Sequence, residues 1–290
     1  MKKGRLILFD FSGTLSIEAV NFGQRETLSS YLEKSGLVEL GIASEAFFWN
    51  EIVTPTWLEG STTRRGYINI LTDRITALCL DNRESNSQRG DNINVRKAVS
   101  RFMASYFDCC LIDAAWRNML QSLRNDPLTQ VAVVTDHYAE ATTTIIKGMA
   151  EWDIEAIPLE KAVKGAENPL VIANSADVGF HKIDYRFWYT FYNQLFLHDH
   201  HNMKVLLIDD FGANEAIGDQ YGNHAQVTVR KERTRQALEE VFGKSVDIYS
   251  FILNFVKNDP PNPEEKKKRY YSLVESALSY IQRFTNPLCY

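Results

Sequence analysis

Four short apolar runs punctuate an otherwise mixed chain: 5–10 (RLILFD), 130–135 (QVAVVT), 169–173 (PLVIA) and 204–209 (KVLLID). Each is rich in Val, Leu and Ile and lacks the polar alternation of a half-exposed strand. Each therefore reads as a strand covered on both faces, as in a parallel sheet. A weaker run at 224–229 (HAQVTV) reads as a fifth strand. From residue 130 onward a helical pattern follows the strands, at 139–148, 184–197 and 214–221. Strand and helix in alternation predict an α/β fold, a doubly wound parallel sheet.

Between the first and second strands the chain is much longer than a crossover needs. Residues 17–111 show helical spacing at 24–34, 44–52, 62–80 and 95–106, and no strand pattern. This stretch predicts an inserted helical domain, with the polar segment 81–94 (DNRESNSQRGDNIN) as a loop inside it. Beyond 234, two helices are expected on either side of the proline-rich 260–263. The expected division is an α/β core from 1–16 and 112–233, a helical cap at 17–111 and a C-terminal helical extension at 234–290. The aromatic residues of that extension read as packing, either on the core or between copies in a homo-oligomer.

Composition narrows the classes. A chain of 290 residues, 44% hydrophobic and 24% charged, is ordinary globular material with room for one α/β core and a second module. The net charge of −5, with one basic run at 266–269, argues against a nucleic-acid partner. Four cysteines without a CxxC spacing suit a reduced, cytoplasmic setting. The apolar stretch near the N-terminus breaks at Asp10, too early for a signal peptide, and no run of roughly 18 apolar residues predicts a membrane span.

In open α/β sheets, ligands gather beyond the carboxyl ends of the strands. Asp10, Thr135 and the pair Asp209-Asp210 stand at such ends, and Lys182 follows the third run. Carboxylates, a hydroxyl and an ammonium converging on one edge suit a phosphate together with a hard metal ion. Gly13 permits a tight turn directly after the first strand, where backbone N–H groups can face phosphate oxygens.

Asp10-Phe11-Ser12-Gly13-Thr14-Leu15 after an apolar strand is similar to the first motif of the haloacid dehalogenase-like superfamily. Thr135, closing VAVVT, resembles the second motif. Lys182, with Asp184 and Arg186-Phe187-Trp188 after it, resembles the third, and Asp209-Asp210 with Asn214 resembles the fourth. Order and spacing fit across about residues 5–230. The resemblance implies a Rossmann-like core with a cap, and a Mg²⁺-dependent hydrolase, phosphatase or phosphotransferase, acting on a small phosphorylated substrate. It implies Asp10 as the nucleophile that becomes an aspartyl-phosphate, with Thr135 and Lys182 on the phosphoryl oxygens. Gly13, Thr14 and Asp136 would line the substrate, and Mg²⁺ would be held by Asp10, the Ser12 carbonyl, Asp209 and Asp210. The cap would act as a lid, with Arg64 and Arg65 reading an acidic group on the substrate.

Position 12 departs from the pattern. Most phosphatases of this kind carry a second aspartate there, which protonates the leaving oxygen; a serine is no comparable acid near neutral pH. Three readings stay open: slower aspartyl-phosphate breakdown, cleavage of a C–P or C–halogen bond, or a non-catalytic protein that binds a phosphate or a partner. For the C–P reading, which needs a cap lysine for a Schiff base, Lys34 is the one lysine of the cap before residue 97, in a poor setting. His137 could take over acid–base work, or simply be a polar residue opening a helix. The cluster His198-Asp199-His200-His201 reads as a solvated turn rather than a metal site.

Overall fold

The computed structural model describes residues 4–81, 88–167, 169–196, 203–215, 224–244, 246–253 and 263–286. Its strands are β1 (Arg5–Phe9), β2 (Thr129–Thr135), β3 (Ala156–Pro158), β4 (Leu170–Asn174), β5 (Lys204–Asp209) and β6 (Val246–Ser250). All pair in parallel, in the order β3-β4-β2-β1-β5-β6. The chain builds outward from β1 to one side and later returns to lay β5 on the other. The central strand is thus flanked by β2 and β5, and the crevice at its carboxyl end is the topological switch point of the sheet.

Among the described residues, six α-helices separate β1 from the rest of the core: α1 (Ile17–Phe22), α2 (Arg25–Ser35), α3 (Glu45–Phe47), α4 (Thr54–Thr62), α5 (Tyr67–Asp81) and α6 (Gln88–Cys109). A π-helical stretch, Phe48–Val53, joins α3 to α4. The core then adds α7 (Arg117–Asn125), α8 (Glu140–Ala150), α9 (Ser175–Val178), α10 (Tyr185–Leu195), α11 (His224–Phe242) and α12 (Pro263–Thr285).

Strand periodicity sorts the core into two layers. Leu6 and Leu8 of β1 point to a layer with Phe187, Trp188 and Phe191 of α10 and Leu238 of α11. Ile7 and Phe9 point the other way, to Trp116, Leu120 of α7, Ile145 and Met149 of α8 and the α12 stripe Val274, Ala277 and Ile281. The stripe has helical spacing and is almost wholly buried, so α12 closes this face of the sheet. Tyr270 of α12 accepts the Trp116 Nε1–H at 3.1 Å, which gives the buried indole its partner.

The inserted helices form a cluster of their own, built around Phe22, Leu32, Phe48, Leu71, Val99 and Phe102. The insertion leaves and re-enters the core at one place, where the Asp113 N–H donates to the Leu15 carbonyl at 2.9 Å. Core residues fasten it. The Glu140 carboxylate accepts the N–H groups of Tyr67 and Ile68 at 3.0 and 3.2 Å, satisfying two free donors at the start of α5. Tyr138 stacks on Tyr67 with ring centroids 3.6 Å apart, and Ser175 Oγ donates to the Ser61 carbonyl at 2.5 Å.

The doubly wound parallel sheet with its helical cap and C-terminal helix is the architecture expected, but several elements differ. The run at 224–229, expected as a strand, is the start of α11. Its β-branched residues yield to a longer pattern, in which Val227, Thr234, Leu238 and Phe242 bury one helical face. The segment beyond 234, expected as two helices on either side of 260–263, also contributes β6 to the sheet edge; its half-exposed positions hide the strand from an apolar-run search. β3, three half-buried residues long, escapes such a search for the same reason. The helix expected at 62–80 begins only at Tyr67, as α5; the residues before it form a turn that Gly66 closes at φ +82°, and Thr62 is the last residue of α4. The loop expected at 81–94 gives way to α6 from Gln88. The helix expected at 214–221 lies, beyond Glu215, outside the described residues, as do the cluster at 198–201 and most of 260–263.

Ile281 sits at full burial against the sheet, so Ile281→Ala should cost about 2–5 kcal/mol of unfolding free energy in urea. A change below about 0.5 kcal/mol, the level of a surface substitution, would show that α12 is an appendage and not a layer of the core.

Candidate active site

Asp10 follows β1, Thr135 ends β2 and Asp209 ends β5, so three neighbouring strands deliver three side chains to one edge. The Asp10 N–H donates to the Ile208 carbonyl at 2.9 Å, which keeps β1 and β5 in register up to the site. The turn after Asp10 is closed by its own bonds, Gly13 N–H to Ser16 O and Ser16 N–H to Phe11 O, at 2.9 and 2.8 Å. The Phe11 and Ser12 N–H groups take no part in them. Gly13 has φ +78°, and a Cβ there would overlap the Asp210 carboxylate, so both conformation and space demand glycine.

The acid pair is held by backbone N–H groups. Asp209 Oδ1 accepts from Phe211 at 2.6 Å; Asp210 accepts from Gly212 and Asn214 at 2.8 and 3.0 Å. This winding puts Phe211, a non-glycine residue, at φ +55°. Asn214 ties the loops together, donating to the carbonyls of Gly13 and Phe251 at 2.8 and 2.9 Å and accepting from Leu253 N–H at 2.8 Å. β6, unforeseen in the sequence, thereby supports the site from behind.

Lys182 lies between the acids. Its Nζ donates to Asp10 Oδ1 and Asp209 Oδ2, each at 2.6 Å, and its side chain is 5% exposed. Its backbone is fixed on both sides, the N–H to Asp136 Oδ1 at 2.9 Å and the carbonyl to Trp188 Nε1–H at 2.7 Å. Thr14 Oγ1 donates to Asp10 Oδ2 at 3.4 Å. Thr135 Oγ1 is buried with no hydrogen-bond partner among the described residues, an uncommon state for a hydroxyl and one that a ligand oxygen would relieve.

Asp10, Asp209 and Asp210 each offer a carboxylate oxygen within 4.8 Å of the others, all three residues buried. One ammonium does not balance three carboxylates. Burial, opposed by Lys182, raises the Asp10 pKa well above its ordinary value, with Asp209 and Asp210 adding to the rise. Asp210 is pushed up to about 7, first by burial and then by Asp209. A cluster of hard oxygen donors with uncompensated negative charge fits a divalent cation such as Mg²⁺.

From Asp10 and Thr135 a cavity of about 80 Å³ runs into the cap. Asp136, His137 and Ser12 lie on its wall with Glu215, a carboxylate to which the sequence alone assigns no role. Ser12 Oγ donates to Glu215 Oε1 at 3.2 Å across 203 residues of chain. Their meeting results from the two loops that Asn214 joins, and no local sequence signal announces it.

His137 is fully occupied. Its Nδ1 accepts the Tyr138 N–H at 2.7 Å, and Nε2 pairs with the Tyr106 hydroxyl at 2.9 Å. Burial lowers its pKa to about 3, so the ring is neutral and ties α6 to the core instead of exchanging protons near neutral pH. Arg64 and Arg65 do not line the cavity. Arg64 runs along the cap–core seam to the Asp177 carbonyl and Glu160, and Arg65 pairs with Glu59 and Asp73 on the cap surface. Lys34 is exposed, over the Tyr31 ring, and offers no amine to the cavity. Among the described residues no helix is long and apolar enough to cross a membrane.

No protein-family model matches the chain, and no curated protein matches its sequence. Solved structures that resemble it in outline include these two. One is the magnesium-bound protein named as the HAD-hydrolase YfnB from Bacillus subtilis, at 15% identity and TM-score 0.41, covering 94% of this chain and 99% of that one. The other is a predicted HAD-like family hydrolase from Porphyromonas gingivalis, at 14% identity and TM-score 0.40, covering 92% and 98%. Likenesses of that extent bear on neither substrate nor chemistry.

Gly13→Ala should lower stability by about 1–3 kcal/mol in denaturant unfolding, through positive-φ strain and the clash with Asp210; an unchanged midpoint would refute the tight approach. For His137, the unfolded chain takes up a proton near pH 6.5 and the folded chain only near pH 3. Its contribution to stability is therefore complete above about pH 6.5 and is lost as pH falls toward 3. The stability advantage of the parent over His137→Gln should shrink between pH 7 and 4 in urea titrations. Parallel curves would mean that the histidine is not buried neutral.

Proposed function

We propose that this chain is a Mg²⁺-dependent phosphoryl-transfer hydrolase that attacks a small phosphate ester with Asp10. The observation that carries the reading is the buried triad Asp10, Asp209 and Asp210, gathered around Lys182 at the switch point of the sheet. The reading agrees with the resemblance of the strand-end motifs to the haloacid dehalogenase-like superfamily.

In the first step an Asp10 carboxylate oxygen bonds to phosphorus as the ester P–O bond breaks, leaving an aspartyl-phosphate and an alcohol that has gained a proton. In the second, water attacks phosphorus while the carboxylate that protonated the alcohol takes the water's proton, the bond to Asp10 breaks, and phosphate leaves with the Asp10 carboxylate restored. Lys182 neutralises charge on the transferred group, and the Thr135 hydroxyl supplies a hydrogen bond that no described residue takes up. Asp10, Asp209, Asp210 and the Ser12 carbonyl would hold Mg²⁺. The bound ion supplies positive charge that lessens repulsion between carboxylate and phosphate dianion.

The proton for the departing oxygen is the part that Ser12 cannot supply. Three carboxylates line the described cavity wall, Asp10, Asp136 and Glu215. Asp10 is the nucleophile, and Asp136 is turned to the Lys182 N–H. Glu215, hydrogen-bonded to Ser12, is the remaining acid and takes the proton role that position 12 lacks. The Schiff-base route to C–P cleavage finds no lysine among the described lining residues.

Asp10→Asn should reduce Mg²⁺-dependent phosphate release by about 10³-fold or more, because an amide is no nucleophile toward phosphorus. Glu215→Gln should lower kcat by about 10²–10⁴-fold with KM little changed, and should remove one limb of the pH profile. Undiminished turnover in Asp10→Asn would reject the proposed nucleophile, and a Glu215→Gln profile matching the parent would reject the proton donor.

A further inference from the structure

We infer that the ester this site accepts carries an uncharged, flat, carbon-rich group on its alcohol side, an arylalkyl phosphate and not a phosphorylated sugar, polyol or nucleotide. The inference rests on the phosphoryl-transfer reading and names its substrate class. It is carried by the walls of the cavity that opens from Asp10 into the cap.

Those walls are hydrocarbon. α1 supplies Phe22, α6 supplies Phe102, Met103 and Tyr106, and the π-helical stretch supplies Phe48 and Trp49. π-helical turns are rare, and this one brings its aromatic residues to the cavity lining. The rings meet edge to face: Phe22 and Tyr106 have centroids 5.1 Å apart at 71°, Phe22 and Phe102 5.4 Å at 73°. A planar ring among such side chains can pair with them edge to face or offset-stacked, the arrangements aromatic groups favour.

The same walls disfavour other alcohols. A sugar or polyol brings several hydroxyls, and each one buried without a partner costs about 1–3 kcal/mol. On the cap side the tyrosine hydroxyls are engaged within the protein, Tyr67 with Thr56 Oγ1 and Tyr106 with His137 Nε2, each at 2.9 Å. A second phosphate or a carboxylate would need a cation. No lysine or arginine is among the described lining residues, and Arg64 and Arg65 are committed to acids elsewhere. Size sets the upper limit. At about 80 Å³ the cavity is about half the roughly 150 Å³ known to admit benzene, so one ring is the most it takes, and the walls must yield to admit it.

The test uses the full-length protein with Mg²⁺ and two matched pairs of compounds. The first pair is 2-phenylethyl phosphate and glycerol 3-phosphate, both esters of unactivated alcohols, so leaving-group chemistry does not decide the outcome. The second is 3-phenylpropylphosphonate and 3-hydroxypropylphosphonate, which cannot be hydrolysed and report binding by calorimetry. The ring compound of each pair should be favoured by about 30–100-fold, in kcat/KM for the esters and in Kd for the phosphonates. Trp49→Ala should narrow that ratio by raising KM for the ring ester.

Equal or better turnover of glycerol 3-phosphate would overturn the inference while leaving the phosphoryl-transfer reading intact. Preference for phosphocholine over 2-phenylethyl phosphate would also overturn it, because the cavity would then be selecting a cation. If neither ester is hydrolysed but the ring phosphonate still binds more tightly, the phosphoryl-transfer reading falls and the ring-selecting cavity stands. If both phosphonates bind alike, the inference falls whatever the esters do.

Discussion

Three buried carboxylates around one ammonium set the terms for this molecule. Bringing Asp10, Asp209 and Asp210 close together around a single lysine leaves negative charge inside the protein, and the raised pKa values of Asp10 and Asp210 record the strain. Such a cluster survives only if the surrounding fold over-determines it. Here that support is the winding of residues 209–214. Three N–H groups clamp the acid pair, Phe211 adopts a left-handed conformation, and Asn214 stitches the loop to the β1 turn and to the end of β6.

The sheet supplies the remaining rigidity. β1 is covered on both faces and flanked by β2 and β5, so the side chains at its end inherit positions fixed by strand register. Lys182 reaches the acids from a loop, but its backbone is pinned by Asp136 and Trp188, which places its ammonium without help from the strands. Rigid placement of this kind is what phosphoryl transfer asks of a protein, because most of the work is positioning and charge.

The cap contributes a different environment. Its helices are tied to the core by Glu140 at the start of α5, by the Tyr67–Tyr138 stack and by the neutral His137 bonded to Tyr106. One end of the cavity is therefore polar and acidic, and the other is aromatic. On the proposed reading, with Mg²⁺ on the acids, a ligand spanning both is a phosphate at one end and hydrocarbon at the other, which is how the proposed chemistry and the proposed substrate class join.

The sequence by itself carried the four central strands and the identity of the residues at their ends, because strand burial and strand-end position are local properties written in consecutive residues. Asp10, Thr135, Lys182, Asp209 and Asp210 could be named from such runs, and the structure brings the acids and the lysine to one place, with Thr135 at the end of the neighbouring strand. Features that arise from contacts between distant segments could not be read that way. The Ser12–Glu215 pair spans 203 residues, the half-exposed β6 borrows its strand character from β5, and the helical start of α11 overrides its own β-branched residues once a longer buried face is available. Arg64 and Arg65 have a charge that any acidic group can satisfy, and only tertiary packing decided that they would pair with Glu160, Asp177, Glu59 and Asp73. Chemistry-bearing residues are named by their type and local frame; which of them meet is settled by the fold, because contact depends on three-dimensional closure and not on neighbours in the chain.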